Sequence, residues 1–257
     1  MKTVTIKQLE IGVGAPKIIV PIVGKTQAEL IEEVQFLQSI DFDVLEWRVD
    51  HFNQVDDIQA VKQVAKKIVD LLPNKPLLFT FRTINEGGVK PWALSSYIQL
   101  NKEMACSGLV DLIDVEVFIG DDYVKDIIDV AHKNQVFVIA SNHDFEKTPP
   151  KNDIINRLRK MQDLGADIPK IAVMPKTTDD VLTLLAATTE MNEKYATKPI
   201  ITMSMAGLGA ISRIAGSTFG SAMTFGAAKN ASAPGQLDVN QLRYILEVLQ
   251  QNKKLIQ

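Results

Sequence analysis

A chain of 257 residues with 46% hydrophobic content is long enough for one large α/β domain or two small ones, with a core well above the size that needs disulfides or metals. A net charge of −3 without a basic stripe argues against a nucleic-acid partner, and the single cysteine, Cys106, excludes an internal disulfide and fits a reducing cytoplasm. No apolar run approaches a membrane span, no signal peptide is expected, and no Cys/His cluster has metal-ligand spacing.

Residues 4–7 and 11–13 flank a short turn and predict a hairpin. A first strand follows over 17–24. Thr26-Gln27-Ala28-Glu29 then reads as a capping box opening a helix with Leu30, Val34 and Leu37 on one face. A second strand, 43–49, precedes a helix in which Ala60, Val64, Ile68 and Leu71 repeat. Further strands are predicted over 77–82, 110–117, 136–142 and 170–174. Cys106 falls near a helix end and reads as a small hydrophobe rather than a nucleophile. Thr177-Thr178-Asp179-Asp180 opens a helix bearing Val181, Leu184 and Leu185. Strands over 199–205 and 221–225 complete the set, and Asp238 can cap a last helix carrying Val239, Leu242, Ile245 and Leu249.

Eight strands alternating with helices, without a linker or low-complexity stretch, predict an α/β fold. The architecture expected is a closed (β/α)8 TIM barrel, a single domain over 1–257, with the short N-terminal β-hairpin closing the barrel bottom. A doubly wound open sheet would carry a Gly-x-Gly-x-x-Gly turn after its first strand, and Pro21-Ile22-Val23-Gly24-Lys25-Thr26 has none.

Lys170 sits in the otherwise apolar run Ile168-Pro169-Lys170-Ile171-Ala172-Val173-Met174-Pro175. Such a run reads as a fully buried parallel strand, where an unpaired ammonium is expensive. A lysine there has a partner or has lost its proton, and a neutral buried amine is a nucleophile for carbonyl carbon. With the predicted strand starting at 170, the side chain would begin low in the barrel and reach upward.

Chemistry in this fold collects at the C-terminal strand ends. Glu46 and Arg48 share one face of their strand, Arg82 ends the next with Glu86-Gly87-Gly88 in its loop, and Asp114 and Glu116 share a face of the fourth. Ser141-Asn142-His143-Asp144 ends the fifth. Half of the six arginines lie at or just after strand ends (Arg48, Arg82 and Arg213), and arginine forks bind carboxylates. A small hydroxylated carboxylate is the partner expected. Internal pairing of these charges, for Asp114 above all, is the competing reading. His143 is either a hydrogen-bonded strand-terminal histidine or, one strand before Lys170, a proton carrier for whatever the lysine holds. The glycines of Met203-Ser204-Met205-Ala206-Gly207-Leu208-Gly209 fit a phosphate site or a tight turn. Residues 231–236 fit a connector or a lid in which Ser232 and Gln236 meet substrate hydroxyls.

Together these residues resemble the type I 3-dehydroquinate dehydratase family. The likeness rests on Glu46-Trp47-Arg48-Val49-Asp50, Phe79-Thr80-Phe81-Arg82 with Glu86-Gly87-Gly88, and Asp114-Val115-Glu116-Val117. It continues in Ser141-Asn142-His143-Asp144-Phe145, Pro169-Lys170-Ile171-Ala172-Val173-Met174-Pro175, Ile201-Thr202-Met203-Ser204-Met205 and Ser232-Ala233-Pro234-Gly235-Gln236. The blocks follow family order and span nearly the whole chain. The resemblance implies dehydration of 3-dehydroquinate to 3-dehydroshikimate in the shikimate route, without a cofactor. It implies that Lys170 forms an imine with the substrate ketone, that His143 is general base and acid, and that Glu86 orients it. By the same likeness Arg213 clamps the substrate carboxylate, Glu46, Arg48, Arg82, Ser232 and Gln236 meet the ring hydroxyls, and Met203 and Met205 supply apolar lining. Some members have a serine where Pro21 stands, so a hydroxyl contact from that position is absent here.

The chemistry suits these residue types. A protonated imine is an electron sink for the carbanion formed beside the ketone, and an imidazole titrating near neutrality can take that proton and return it to the departing hydroxyl. A class I aldolase-type barrel enzyme is the alternative, and a non-catalytic carboxylate-binding barrel is another. A cytoplasmic homodimer is the family expectation.

Overall fold

The computed structural model describes residues 2–228 and 235–254. It opens with β1 (Val4–Ile6) and β2 (Leu9–Ile11), antiparallel, with Val4 opposite Ile11 and Ile6 opposite Leu9. The second arm thus starts before the predicted 11–13. The reason is the turn: Lys7 takes a positive φ of 54°, which lets two residues reverse the chain.

Eight parallel strands follow in sequence order around one sheet. They are β3 (Lys17–Ile22), β4 (Val44–Arg48), β5 (Leu77–Thr80), β6 (Leu112–Glu116), β7 (Phe137–Asp144), β8 (Ile168–Val173), β9 (Ile201–Ser204) and β10 (Met223–Ala227). β10 pairs in parallel with β3. Between β9 and β10 the ring is completed by one parallel bridge, Ile200 with Ser221, and by the Ala222 N–H donating to the Ile200 carbonyl at 2.8 Å. This is the (β/α)8 barrel expected. A two-residue β11 (Leu237–Asp238) adds to the outside of β10.

The helices are α1 (Gln27–Leu37), α2 (Ile58–Leu71), α3 (Leu94–Ala105), α4 (Asp121–Lys133), α5 (Lys151–Asp163), α6 (Thr178–Glu190), the short α7 (Ala210–Ile214) and α8 (Gly216–Phe219), and α9 (Val239–Lys254). Thr26 caps α1, accepting from the Glu29 N–H at 3.2 Å, but the Glu29 carboxylate reaches back to the Lys25 N–H rather than to the cap residue. The reciprocal capping box forms instead at Thr177 and Asp180 of α6. Asp238 caps α9 through the N–H groups of Asn240 and Gln241. Leu246, rather than Ile245 or Leu249, joins Val239 and Leu242 in the core there. Cys106 is the exposed C-cap of α3, not a core residue.

Two apolar clusters divide along the sheet. Outward strand residues such as Val20, Trp47, Phe79 and Val138 pack against Leu30, Val64, Ile127 and Leu158 of the helices. Inward residues Ile19, Val44, Leu78, Leu112, Ile139, Ile168 and Ile201 fill the N-terminal end of the barrel together with Val4, Ile6 and Ile11 of the hairpin. The hairpin is therefore a plug. It closes the bottom and leaves the C-terminal end as the open face.

Side chains two apart share a strand face. Continuing each inward row upward gives Val44, Glu46, Arg48 on β4; Leu112, Asp114, Glu116 on β6; Ile139, Ser141, His143 on β7; and Ile168, Lys170, Ala172 on β8. Each row begins apolar, and three of the four then carry only polar or charged groups.

Candidate active site

Lys170 is the third of the six residues of β8, all buried, rather than the first residue of its strand. It pairs with Ser141, and Ala172 pairs with His143. Lys170 therefore starts one inward layer below His143, about 7 Å lower along the barrel. Its side chain lines the cavity. The ammonium has an ionic partner: Nζ lies 3.1 Å from Asp114 Oδ2 and 4.6 Å from the centre of the Phe225 ring. Of the two expectations for a buried lysine, the partnered one holds, and the partner is a carboxylate on β6.

Asp114 is the hub of this layer. It also accepts from Arg82 Nη2 at 2.7 Å and from the Ser141 hydroxyl at 2.6 Å. Burial alone would push its carboxyl up, but Arg82, Lys170 and these hydrogen bonds bring it down to about 2. Arg82 in turn donates from Nη1 to Glu116 at 3.0 Å and to Ser141 Oγ at 3.0 Å. Its charge is held against burial by Asp114, Glu116 and Glu86. Glu116 is fixed further by the Thr83 N–H at 2.8 Å and the Thr83 hydroxyl at 2.7 Å. Internal pairing and clustering at the site are therefore one arrangement.

His143 Nδ1 lies 2.9 Å from Glu86 Oε2, which also accepts the His143 backbone N–H at 2.9 Å. Asn142 Nδ2 donates to the other oxygen, Oε1, at 3.1 Å. Glu86 ends a 3₁₀ turn, and Gly87 follows with φ of 86°. A Cβ on Gly87 would collide with the Phe145 ring, so only glycine lets the loop turn here and present Glu86 to the histidine. Burial, with the cations Arg82, Lys170 and Arg48, holds the imidazole well below its ordinary range. Burial, with Glu116, pushes the Glu86 carboxyl up to about 8 despite Arg82 and the donors from Asn142 and His143. Both shifts resist charging the buried dyad.

Around these groups lies a cavity of about 490 Å³, counted to its open mouth. Glu46, Arg48, Arg82, Glu86, His143, Lys170, Met203, Met205, Arg213 and Gln236 all line it, so all but one of the residues expected from sequence meet in one place. Ser232 lies outside the described residues. Glu46 accepts from the Thr80 hydroxyl at 2.9 Å. Arg48 forks onto Asp50 with two bonds of 2.9 Å, a bidentate pair that fixes the guanidinium at the cavity wall. Arg213, on α7, is almost fully buried with Nη1 3.6 Å from Met203 Sδ, and burial lowers it to about 10. The glycine turn after β9 is a steric necessity: a Cβ on Gly209 would strike the Ser204 carbonyl. Among the described residues no group of His, Cys, Asp and Glu could hold a metal ion, and no helix is long and apolar enough to cross a membrane.

The sequence model of the type I 3-dehydroquinase family matches residues 18–253. The chain belongs to this family. It is 57% identical over 251 residues to the 3-dehydroquinate dehydratase of Escherichia coli strain 55989, covering 98% of this chain and 100% of the relative. It matches the Clostridium difficile type I 3-dehydroquinate dehydratase, solved with covalently modified comenic acid, at a TM-score of 0.96 and 52% identity over 98% of this chain and 100% of that one. The Geobacillus kaustophilus 3-dehydroquinate dehydratase superposes at 0.94 with 37% identity, covering 97% of each chain.

In this member of the family, several residues that shape the cavity carry no role of their own in the sequence. Thr80, Ser141 and Asn142 hold Glu46, Asp114 and Glu86. Phe145 and Phe225 form apolar wall. Spacing could have found Thr80, two residues before Arg82 on the same face, and Ser141, two before His143. Phe225 is on the inward face of β10 but carries no chemical mark of its own.

Proposed function

We propose that this chain dehydrates 3-dehydroquinate to 3-dehydroshikimate through an imine on Lys170, with His143 as the proton carrier. The observation that carries the reading is the Lys170 amine, buried in the cavity beside Asp114, with the imidazole one layer above it on the neighbouring strand. The Lys170 ammonium first passes a proton to His143 Nε2; the freed amine adds to the substrate ketone, and return of that proton to the adduct's hydroxyl releases water and leaves a protonated imine. His143 Nε2 removes a proton from the carbon next to it, giving an enamine. The enamine expels the hydroxyl on the following carbon as His143 returns the proton, and water then hydrolyses the imine to free the lysine.

The electrostatics support this sequence. The nitrogen is cationic as ammonium and again as protonated imine, and Asp114, held at about 2, stays anionic beside it throughout. The depressed His143 is neutral at physiological pH, as a base must be. Nδ1 faces Glu86 Oε2 at 2.9 Å, and an ionised Glu86 holds the ring proton there and leaves Nε2 as the basic atom. Arg213 clamps the substrate carboxylate. Glu46, Arg48, Arg82, Gln236 and Ser232 address the hydroxyls, and Met203 and Met205 pack the ring. The reading carries with it a place in the shikimate route, a cytoplasmic location and a homodimer, as in the family resemblance.

The test is borohydride reduction in the presence of 3-dehydroquinate, followed by peptide mass mapping. A stable adduct on Lys170 is expected. Dehydration with no adduct, or with one on another lysine, sinks the mechanism. Turnover of sugar phosphates in place of dehydroquinate would return the aldolase alternative.

A further inference from the structure

Arg157 lies on α5, outside the cavity, with 22% of its side chain exposed. Its Nη1 donates to Asn142 Oδ1 at 2.9 Å and lies 3.5 Å from Asp144 Oδ2. Nη2 lies 3.7 Å from Asp153, and the guanidinium covers the Phe118 ring at 5.6 Å. Three further contacts hold this side chain against one amide. That amide belongs to Asn142, buried on β7, whose other end donates to Glu86 Oε1 at 3.1 Å.

The polarity of this chain of bonds is forced. A guanidinium can only donate, so it must face the carbonyl end of the amide. The amino end is then left for Glu86, and an amino group can only donate too. Oε1 is thereby kept an acceptor, and the proton of the dyad is kept on the side of Oε2 and His143 Nδ1. Without the guanidinium, the amide is free to turn over. Its carbonyl would then invite a proton onto Oε1 and stabilise the uncharged carboxyl.

We propose that Arg157 is a positioning residue for the dehydration: by fixing the polarity of the Asn142 amide it keeps Glu86 an acceptor toward His143 and leaves the imidazole Nε2 free to take a proton. The inference rests on the imine and histidine reading above and deepens it. Arg82, Glu116, Lys170 and Arg48 also face the dyad, and Asp144 and Asp153 face Arg157. A change of charge at 157 therefore has to be separated from a change of amide polarity. Asn142→Leu does this, because it removes the amide and keeps the cation.

The experiment measures kcat/KM against pH for the wild type, Arg157→Met, Arg157→Lys, Asn142→Leu and the Arg157→Met/Asn142→Leu double variant, with borohydride trapping and thermal melting of each. Arg157→Met is expected to lower kcat/KM at neutral pH by about twofold to tenfold, the span of one net hydrogen bond. Its acidic limb should move to higher pH by up to about one unit. Arg157→Lys, still a donor, should restore most of the limb. Asn142→Leu should move the limb likewise, and the double variant should add nothing further. A lowered melting temperature with an unmoved limb, or additive shifts in the double variant, would mean that Arg157 only packs α5 against β7, and the proposal falls. If the wild type gives no adduct on Lys170, the imine reading fails and takes this inference with it. If every protein gives the adduct while the limb stays fixed, the relay alone has failed.

Discussion

On β6, Leu112 faces the barrel interior among Leu78, Ile139 and Ile168, while Asp114, two residues further, faces the same interior among Arg82, Ser141 and Lys170. The strand, its helices and its pairing are shared by both positions. At the lower level burial alone is stabilising, roughly 25 cal/mol for each Å² of apolar surface removed from water, and needs no particular geometry. At the upper level Arg82, Asp114, Glu116 and Lys170 hold one another at 2.7–3.1 Å. Removing one partner strands another charge. One half of the barrel thus supplies stability, and the other holds charged groups in fixed places at some expense of it.

Three substitutions probe that contrast. His143→Ala should lower kcat by about 10²- to 10⁴-fold, the span of general acid–base catalysis, while borohydride still traps the imine on Lys170 and the melting temperature hardly changes. Full activity in that variant would remove His143 from its role. Leu112→Ala, in the lower layer, should destabilise the fold by about 2–5 kcal/mol in denaturant unfolding with little change in kcat, because it opens a cavity far from the proton transfers. A collapse of kcat with unchanged stability would erase the division between the halves.

Glu86→Gln tests the smallest effect and its sign. The Glu86 carboxyl keeps its proton up to about 8 in the folded chain against an ordinary 4.5. Its contribution to stability is therefore full below the ordinary value and is lost as pH rises through the folded one. Gln has no such loss, so the melting temperature of the variant should gain on the wild type by about 2–4 °C per kcal/mol as pH rises from about 5 to about 9. For the wild type, kcat/KM should fall as pH drops below about 8, as the dyad takes up its second proton, and this limb should flatten in Glu86→Gln. Parallel stability profiles for the variant and the wild type would show that Glu86 is charged at no energetic cost.

The barrel and nearly all of its cavity were legible from alternation and from charges placed two apart. Glu46 with Arg48, and Asp114 with Glu116, declared both strand and face. Lys170 stands two positions further along its strand than expected, because Pro169 sits inside β8 opposite Ala140 rather than before the strand. The hairpin was set too late because nothing in Lys7-Gln8 announces a turn; its positive φ is imposed by the pairing on either side. Asn142 belongs to a block that resembles the family but carries no mark of its own role, and Arg157 carries no signal at all. One points away from the barrel interior and the other lies on a helix, and only the crossing of the Glu86 loop over β7 brings them into line with His143.

The hairpin beneath the barrel bears on traffic as well as on stability. With Val4, Ile6 and Ile11 packed into the N-terminal end, the cavity opens at the C-terminal face. In the proposed mechanism dehydroquinate entering, dehydroshikimate leaving and the water that hydrolyses the imine share that face. Product must clear the entrance before the next substrate can reach Lys170, so product inhibition should be competitive.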